Sequence, residues 1–142
     1  MQVSALAFGS LTMAPMQANT PPEAAAEVLC YAAERGVNLL DTAQLYDNYE
    51  YIRIAEKKMA KPLIIASKSY AYEKQMAFDA VEEARRRLDR DYIDIFMLHE
   101  QESEHTLRGH MPAIEELLRL KSLGIIRAFG ISTHHVAGVL AA

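Results

Sequence analysis

The chain has almost no cysteine: Cys30 is the only one among 142 residues. A single thiol excludes an internal disulfide and any metal or iron–sulfur site built from several cysteines of one chain. Set within an apolar helical pattern, Cys30 reads as a small buried hydrophobe. Positive charge is scarce too. Fifteen Lys and Arg against nineteen Asp and Glu leave a net charge of −4, which argues against a nucleic-acid or anionic membrane surface as partner. No apolar run approaches the ~18–20 residues of a membrane span. The amino terminus, Met1-Gln2-Val3-Ser4, lacks the basic stretch of a secretion signal. A cytoplasmic location is the expectation that follows. No segment is low in complexity, none reads as a linker to a second domain, and no glycine-rich phosphate loop is present. His105 and His110 are five apart without a supporting carboxylate pattern, so no metal site is expected there.

What is present is a repeat. Apolar runs ending in a small or polar residue recur roughly every thirty residues, the length of one βα unit. Leu6–Phe8 leads to Gly9-Ser10, Val37–Leu40 to Asp41, Leu63–Ser67 to Lys68, Ile93–Leu98 to His99, and Ile125–Ile131 to Ser132. Helical sequence separates them. Thr20-Pro21-Pro22-Glu23 reads as a capped start for a helix through Arg35, closed at Gly36. Glu50–Met59, Glu73–Leu88 and Ala113–Leu123 follow, Glu73–Leu88 with Met76, Ala80, Ala84 and Leu88 on one stripe, and Val136–Ala142 opens another. Glu100–Met111 reads as a long loop. Arg85-Arg86-Arg87 reads as a solvated helix face, and Asp94 as a turn or interface partner. The fold class is therefore α/β, a single domain over residues 1–142 forming a partial (β/α) barrel of about five units. A closed eightfold barrel needs about 250 residues, so the chain reads as part of something larger.

Reactive side chains at successive strand ends are how such a barrel builds a site. Asp41-Thr42-Ala43-Gln44-Leu45-Tyr46 places a carboxylate at one strand end and a phenol five residues on, followed by a strand-end Lys68 and a strand-end His99. Together with Leu88-Asp89-Arg90-Asp91-Tyr92-Ile93-Asp94 and Gly130-Ile131-Ser132, this order resembles the aldo-keto reductase superfamily along essentially the whole chain.

The resemblance implies a catalytic tetrad of Tyr46, Lys68, Asp41 and His99, and reduction of an aldehyde or ketone by NADP(H), with NAD(H) as the alternative. Tyr46 would donate the proton, Lys68 and Asp41 would tune it, and His99 would orient a small carbonyl substrate. A free phenol titrates near 10, and a nearby ammonium is expected to lower that value. Gly9, Ser10 and Asp41 are expected near the nicotinamide ribose, with Ser132 and Thr133 at the carboxamide. The family usually has asparagine where Thr133 stands, and glycine where Asp47 stands. Tyr70, just past Lys68, lines the substrate pocket or covers the barrel mouth. Two other readings stand beside this one. A half-barrel with exposed sheet edges can be a catalytically silent interaction or assembly module, or a homo-oligomer through those edges. A strand-end lysine can also act as a Schiff-base nucleophile.

Overall fold

The computed structural model describes residues 1–142. Its five strands, β1 (Ala7–Gly9), β2 (Leu39–Asp41), β3 (Ile64–Ser69), β4 (Ile93–Leu98) and β5 (Ile126–Ile131), form one sheet in chain order. Every pair is parallel, because each strand reaches the next only through a crossover containing helix. The order never reverses, so the sheet has no topological switch point of the doubly wound kind. The crossovers are α1 (Pro22–Glu34), α2 (Tyr49–Glu56), α3 (Lys74–Leu88), and α4 (Glu104–Gly109) with α5 (Met111–Ser122); α6 (Val136–Ala141) follows β5.

One face of the inner strands is fully buried, because a strand order that never reverses puts every crossover helix on the same side; on the other face Leu39, Ile64, Ile95 and Met97 are half-buried. Leu40, Ile65, Ile93, Phe96, Leu98 and Ile126 meet Leu29, Ile52, Val81, Leu88, Leu117 and Leu120 in one continuous core. Burying each such side chain contributes about 1.5–3 kcal/mol. At the edge, β1 is short and mostly exposed, and Leu6 just before it is 73% exposed.

The helix starts deviate from the sequence reading in instructive ways. Thr20 does not cap α1. The helix begins at Pro22 behind Pro21, and the Thr20 N–H donates to Met13 O at 3.1 Å instead. Gly36 does close it, at φ +89°. The segment expected as a long loop folds into α4, capped by the reciprocal Ser103–Thr106 pair. Met76 is 39% exposed and leaves the α3 stripe, which runs through Ala77, Ala80, Val81, Ala84 and Leu88. The reason is geometric: steps of four overshoot the 3.6-residue turn, so the buried face drifts.

At the amino end of the sheet, Asp94 is an ion-pair partner and not a turn residue. Arg90 Nη1 donates to Asp94 Oδ2 at 2.9 Å, Arg90 Nε to Glu56 Oε2 at 3.0 Å, and Arg90 Nη2 to Leu63 O at 2.6 Å. Asp94 also accepts the Ile65 N–H at 3.1 Å and Arg127 Nη1 at 3.2 Å. This network ties α2, β3, β4 and β5 together, opposite the end that carries the chemistry. Arg85 and Arg87 are spent on Glu82, Glu83 and Asp47, as a solvated helix face would have it.

Candidate active site

Parallel register determines which side chains meet. Gly9 lies opposite Asp41, Asp41 opposite Ala66, and Lys68 opposite Met97. Lys68 therefore stands two residues above Asp41, and His99 two above Met97, at the carboxyl edge of the sheet. The Lys68 ammonium donates to Asp41 Oδ1 at 2.7 Å and to Thr42 O at 2.8 Å. Lys68 is only 4% exposed, so these acceptors replace the water its charge has lost. Thr42 is held in place by its own N–H, which donates to Ala66 O at 2.8 Å.

Tyr46 ends a tight 3-10 turn, Gln44–Tyr46. The next residue, Asp47, sits at φ +53°, a left-handed conformation that glycine adopts without strain and aspartate tolerates. Arg87 Nη2 holds the Asp47 carboxylate at 2.7 Å. Behind the turn, Thr42 Oγ1 donates to Asn48 Oδ1 at 2.8 Å and Asn48 Nδ2 donates to Ser10 O at 3.0 Å. Ser10 Oγ in turn donates to Asp41 O at 2.9 Å. Ser10, Thr42 and Asn48 are all fully buried. A buried, satisfied polar loop of this kind fixes one arrangement of the turn that carries the phenol.

Four groups meet above the sheet. Lys68 Nζ lies 5.3 Å from the Tyr46 ring centroid, and the Tyr46 and His99 rings meet edge to face at 5.9 Å and 72°. Tyr70 stacks on the His99 ring at 4.5 Å and 22°, and its hydroxyl donates to Glu100 Oε2 at 2.6 Å. Burial holds His99 below its ordinary range, and the Lys68 charge lowers it further. The imidazole is thus neutral at neutral pH. Burial pushes the Tyr46 phenol up, and the Asp41 and Glu100 carboxylates push it further. This reverses the expectation that Lys68 would lower it. The Asp41 carboxylate that binds the ammonium acts on the phenol in the opposite sense, and burial adds to it. Burial and the Glu100 bond push Tyr70 up to about 12.

At the end of β5, Ser132 Oγ accepts the Glu100 N–H at 3.0 Å and keeps its own hydrogen to donate. Thr133 Oγ1 donates to His135 O at 3.2 Å and accepts the His135 N–H at 3.0 Å, in the turn that leads into α6. Gly138 of that helix has no room for a side chain: a Cβ would lie 2.1 Å from Gln101 O. Gln101 Oε1 is buried without a partner. The free hydroxyl donor of Ser132 suits a carboxamide, and a Cβ at Gly9 would meet nothing within 4 Å. The residues at this end fit the nicotinamide part of a dinucleotide.

Thr42, Asn48, Glu100 and Gln101 were not singled out from sequence. A signal existed for Glu100, which follows the strand-end histidine directly. Asn48 carried none, because a buried amide after a turn looks like any loop asparagine. His134 and His135 lie 3.5 Å from Glu100 and Glu102 respectively, on the exposed rim.

Residues 5–142 match the Aldo/keto reductase family. The chain is 33% identical over 133 residues to the "Uncharacterized oxidoreductase YqkF" of Bacillus subtilis, covering 83% of this chain and 42% of that protein. It is 30% identical over 110 residues to the methylglyoxal reductase DkgA of Yersinia pestis, covering 74% and 38%. Among solved structures it superposes on an aldo-keto reductase from Bacillus halodurans in its holo form. There the TM-score is 0.80 at 30% identity, over 94% of this chain and 47% of that one. An aldo/keto reductase from Brucella melitensis gives a TM-score of 0.76 at 18% identity, over 94% and 51%, a likeness of fold alone. The chain therefore spans about half of the relatives it matches, and its five parallel strands correspond to part of their (β/α) barrel.

Proposed function

This chain belongs to the aldo/keto reductase family, and we propose from that premise that it carries the proton-donating half of a site that reduces an aldehyde or ketone to an alcohol. The cofactor we assign is NADP(H), which when bound supplies the hydride to the carbonyl carbon. Ser132 is assigned to its carboxamide, and Gly9 and Asp41 to the neighbouring ribose; the Thr133 hydroxyl is spent on His135, and Ser10 is fully buried with its hydroxyl on Asp41 O, so neither side chain is free for the cofactor.

Tyr46 donates its proton from Oη to the carbonyl oxygen, completing the alcohol as the carbon gains hydride. Burial and the nearby carboxylates keep the phenol protonated at neutral pH, which suits an acid waiting for substrate. Lys68, beneath the ring at 5.3 Å, offsets the negative charge that grows on the phenol oxygen as the proton leaves. Asp41 and Thr42 O fix the direction of the ammonium through two hydrogen bonds. Neutral His99, with Nδ1 buried and unpaired, carries its proton on Nε2 and donates it as a hydrogen bond to the same carbonyl oxygen. Solvent then returns a proton to Tyr46. An ammonium already bound by two acceptors is not a free amine, which argues against imine chemistry at Lys68.

The observation that carries this reading is the Asp41–Lys68–Tyr46–His99 constellation at the carboxyl edge of a parallel sheet. The test is consumption of NADPH with a test aldehyde by the intact protein and its Tyr46→Phe variant. Removal of the acid should slow turnover by about 10²–10⁴-fold. Equal turnover by the two proteins would remove Tyr46 from the role.

A further inference from the structure

Resting on the carbonyl-reductase reading, we propose that Glu100 is a specificity-determining residue: clasped to Tyr70 at the mouth of the site, it selects carbonyl compounds without negative charge and turns away those bearing a carboxylate. Glu100 sits at φ +54°, a conformation unfavourable for a residue with a Cβ. Strain of this sort persists only where the surroundings over-determine it. Here the Glu100 N–H donates to Ser132 Oγ at 3.0 Å, while its carboxylate accepts the Tyr70 hydroxyl at 2.6 Å. The left-handed turn aims the carboxylate across the end of β4 toward the end of β3. Tyr70 is thereby held flat on His99 at 4.5 Å, forming one wall of the space in which a carbonyl oxygen would meet Tyr46 and His99. The charge is felt at both reacting groups, adding to the rise at the phenol and offsetting part of the lowering at the imidazole.

The second observation is what surrounds Glu100. The connections following the five strands, residues 10–21, 42–48, 70–73, 99–103 and 132–135, contain no lysine or arginine. They do contain Asp47, Glu73, Glu100 and Glu102. Lys68 is committed to Asp41, and His134, 3.5 Å from Glu100, is largely solvated. An anionic substrate entering over these loops meets the Glu100 carboxylate, and the cations at their edges, Lys68 and Arg87, are already paired with Asp41 and Asp47. A neutral or cationic carbonyl compound incurs no such repulsion.

The test compares benzaldehyde with 4-carboxybenzaldehyde in the intact protein and in Glu100→Gln, which retains an acceptor for Tyr70 and loses the charge. The ratio of kcat/KM for the carboxylated over the plain aldehyde should rise about fivefold, chiefly through KM, and the gain should shrink in high salt. Turnover of both aldehydes at an unchanged ratio overturns the proposal and leaves the reductase reading standing. A parent protein that reduces neither aldehyde sinks the reductase reading, and the proposed selectivity with it. The clasp has its own readout in the His99 ring-proton NMR shifts, moved upfield by the stacked Tyr70 ring. They should relax in Glu100→Ala and hold in Glu100→Gln. Unmoved shifts in Glu100→Ala overturn the clasp.

Discussion

Asp41 and Lys68 form one ion pair, yet the two halves depend on it unequally. The lysine is 4% exposed, whereas the Asp41 side chain is 40% exposed. Asp41→Asn leaves a buried ammonium facing only neutral oxygens. Lys68→Met leaves a carboxylate that water can reach and fills the slot with an unbranched apolar chain. At 2.7 Å and an effective dielectric of about 20, the Coulomb attraction is about 6 kcal/mol. Exposure of Asp41 and the cost of desolvating Lys68 reduce what the pair contributes. The expected loss for Asp41→Asn is about 2–3 kcal/mol, and for Lys68→Met below about 1 kcal/mol. The double variant should resemble Lys68→Met alone, giving a coupling of about 2 kcal/mol. The assay is urea unfolding of the intact protein followed by far-ultraviolet circular dichroism, since the chain has no tryptophan to report. With a slope of about 2 kcal/mol/M, Asp41→Asn should lower the midpoint by about 1 M. If Lys68→Met costs more than Asp41→Asn, or if the two effects simply add, the ammonium does not depend on Asp41 as argued.

Arg90→Met should be far more damaging than its position away from the site suggests. It leaves Glu56 without a cation and Asp94 with only the half-exposed Arg127, their side chains being 12% and 3% exposed, at an expected cost of about 3–5 kcal/mol. Arg127→Ala, which removes a half-exposed partner of the same Asp94, should cost less than about 1 kcal/mol by thermal unfolding. The pH dependence has a definite sign. His99 titrates below its ordinary value of 6.5 when folded, so the unfolded chain binds the proton more readily. Stability contributed by neutral His99 is present above 6.5 and falls as pH drops below it. Urea midpoints at about pH 7.5 and about pH 5.5 should differ more in the parent than in His99→Gln; an identical difference in both would contradict a buried neutral imidazole.

Much of the fold is legible in chain order. An apolar run that stops at a polar residue, with helical sequence on either side, marks a strand and its carboxyl end together. Lys68 and His99 emerge where those runs end. The helix boundaries are less legible because local signals compete. Thr20 offers a cap, but Pro21 and Pro22 start the helix one step later. Residues Glu104–Gly109 read as loop because α4 buries none of its residues, so no apolar periodicity betrays it. Met76 sits at a plausible spacing and still points outward.

Which side chains touch is a different kind of fact. Asp41 meets Lys68 across 27 residues and Tyr70 meets Glu100 across 30, and both pairings follow from sheet register, which no local pattern encodes. The direction of the Tyr46 shift belongs with them. A phenol near an ammonium looks acidified on paper, but the burial of the ring and the carboxylate that binds the ammonium raise it. Residue types, their order and the strand ends they occupy are carried by the chain itself, because hydrophobic periodicity and turn chemistry act over a few residues. Distances, charge compensation and solvent exclusion exist only once strands far apart in sequence lie side by side.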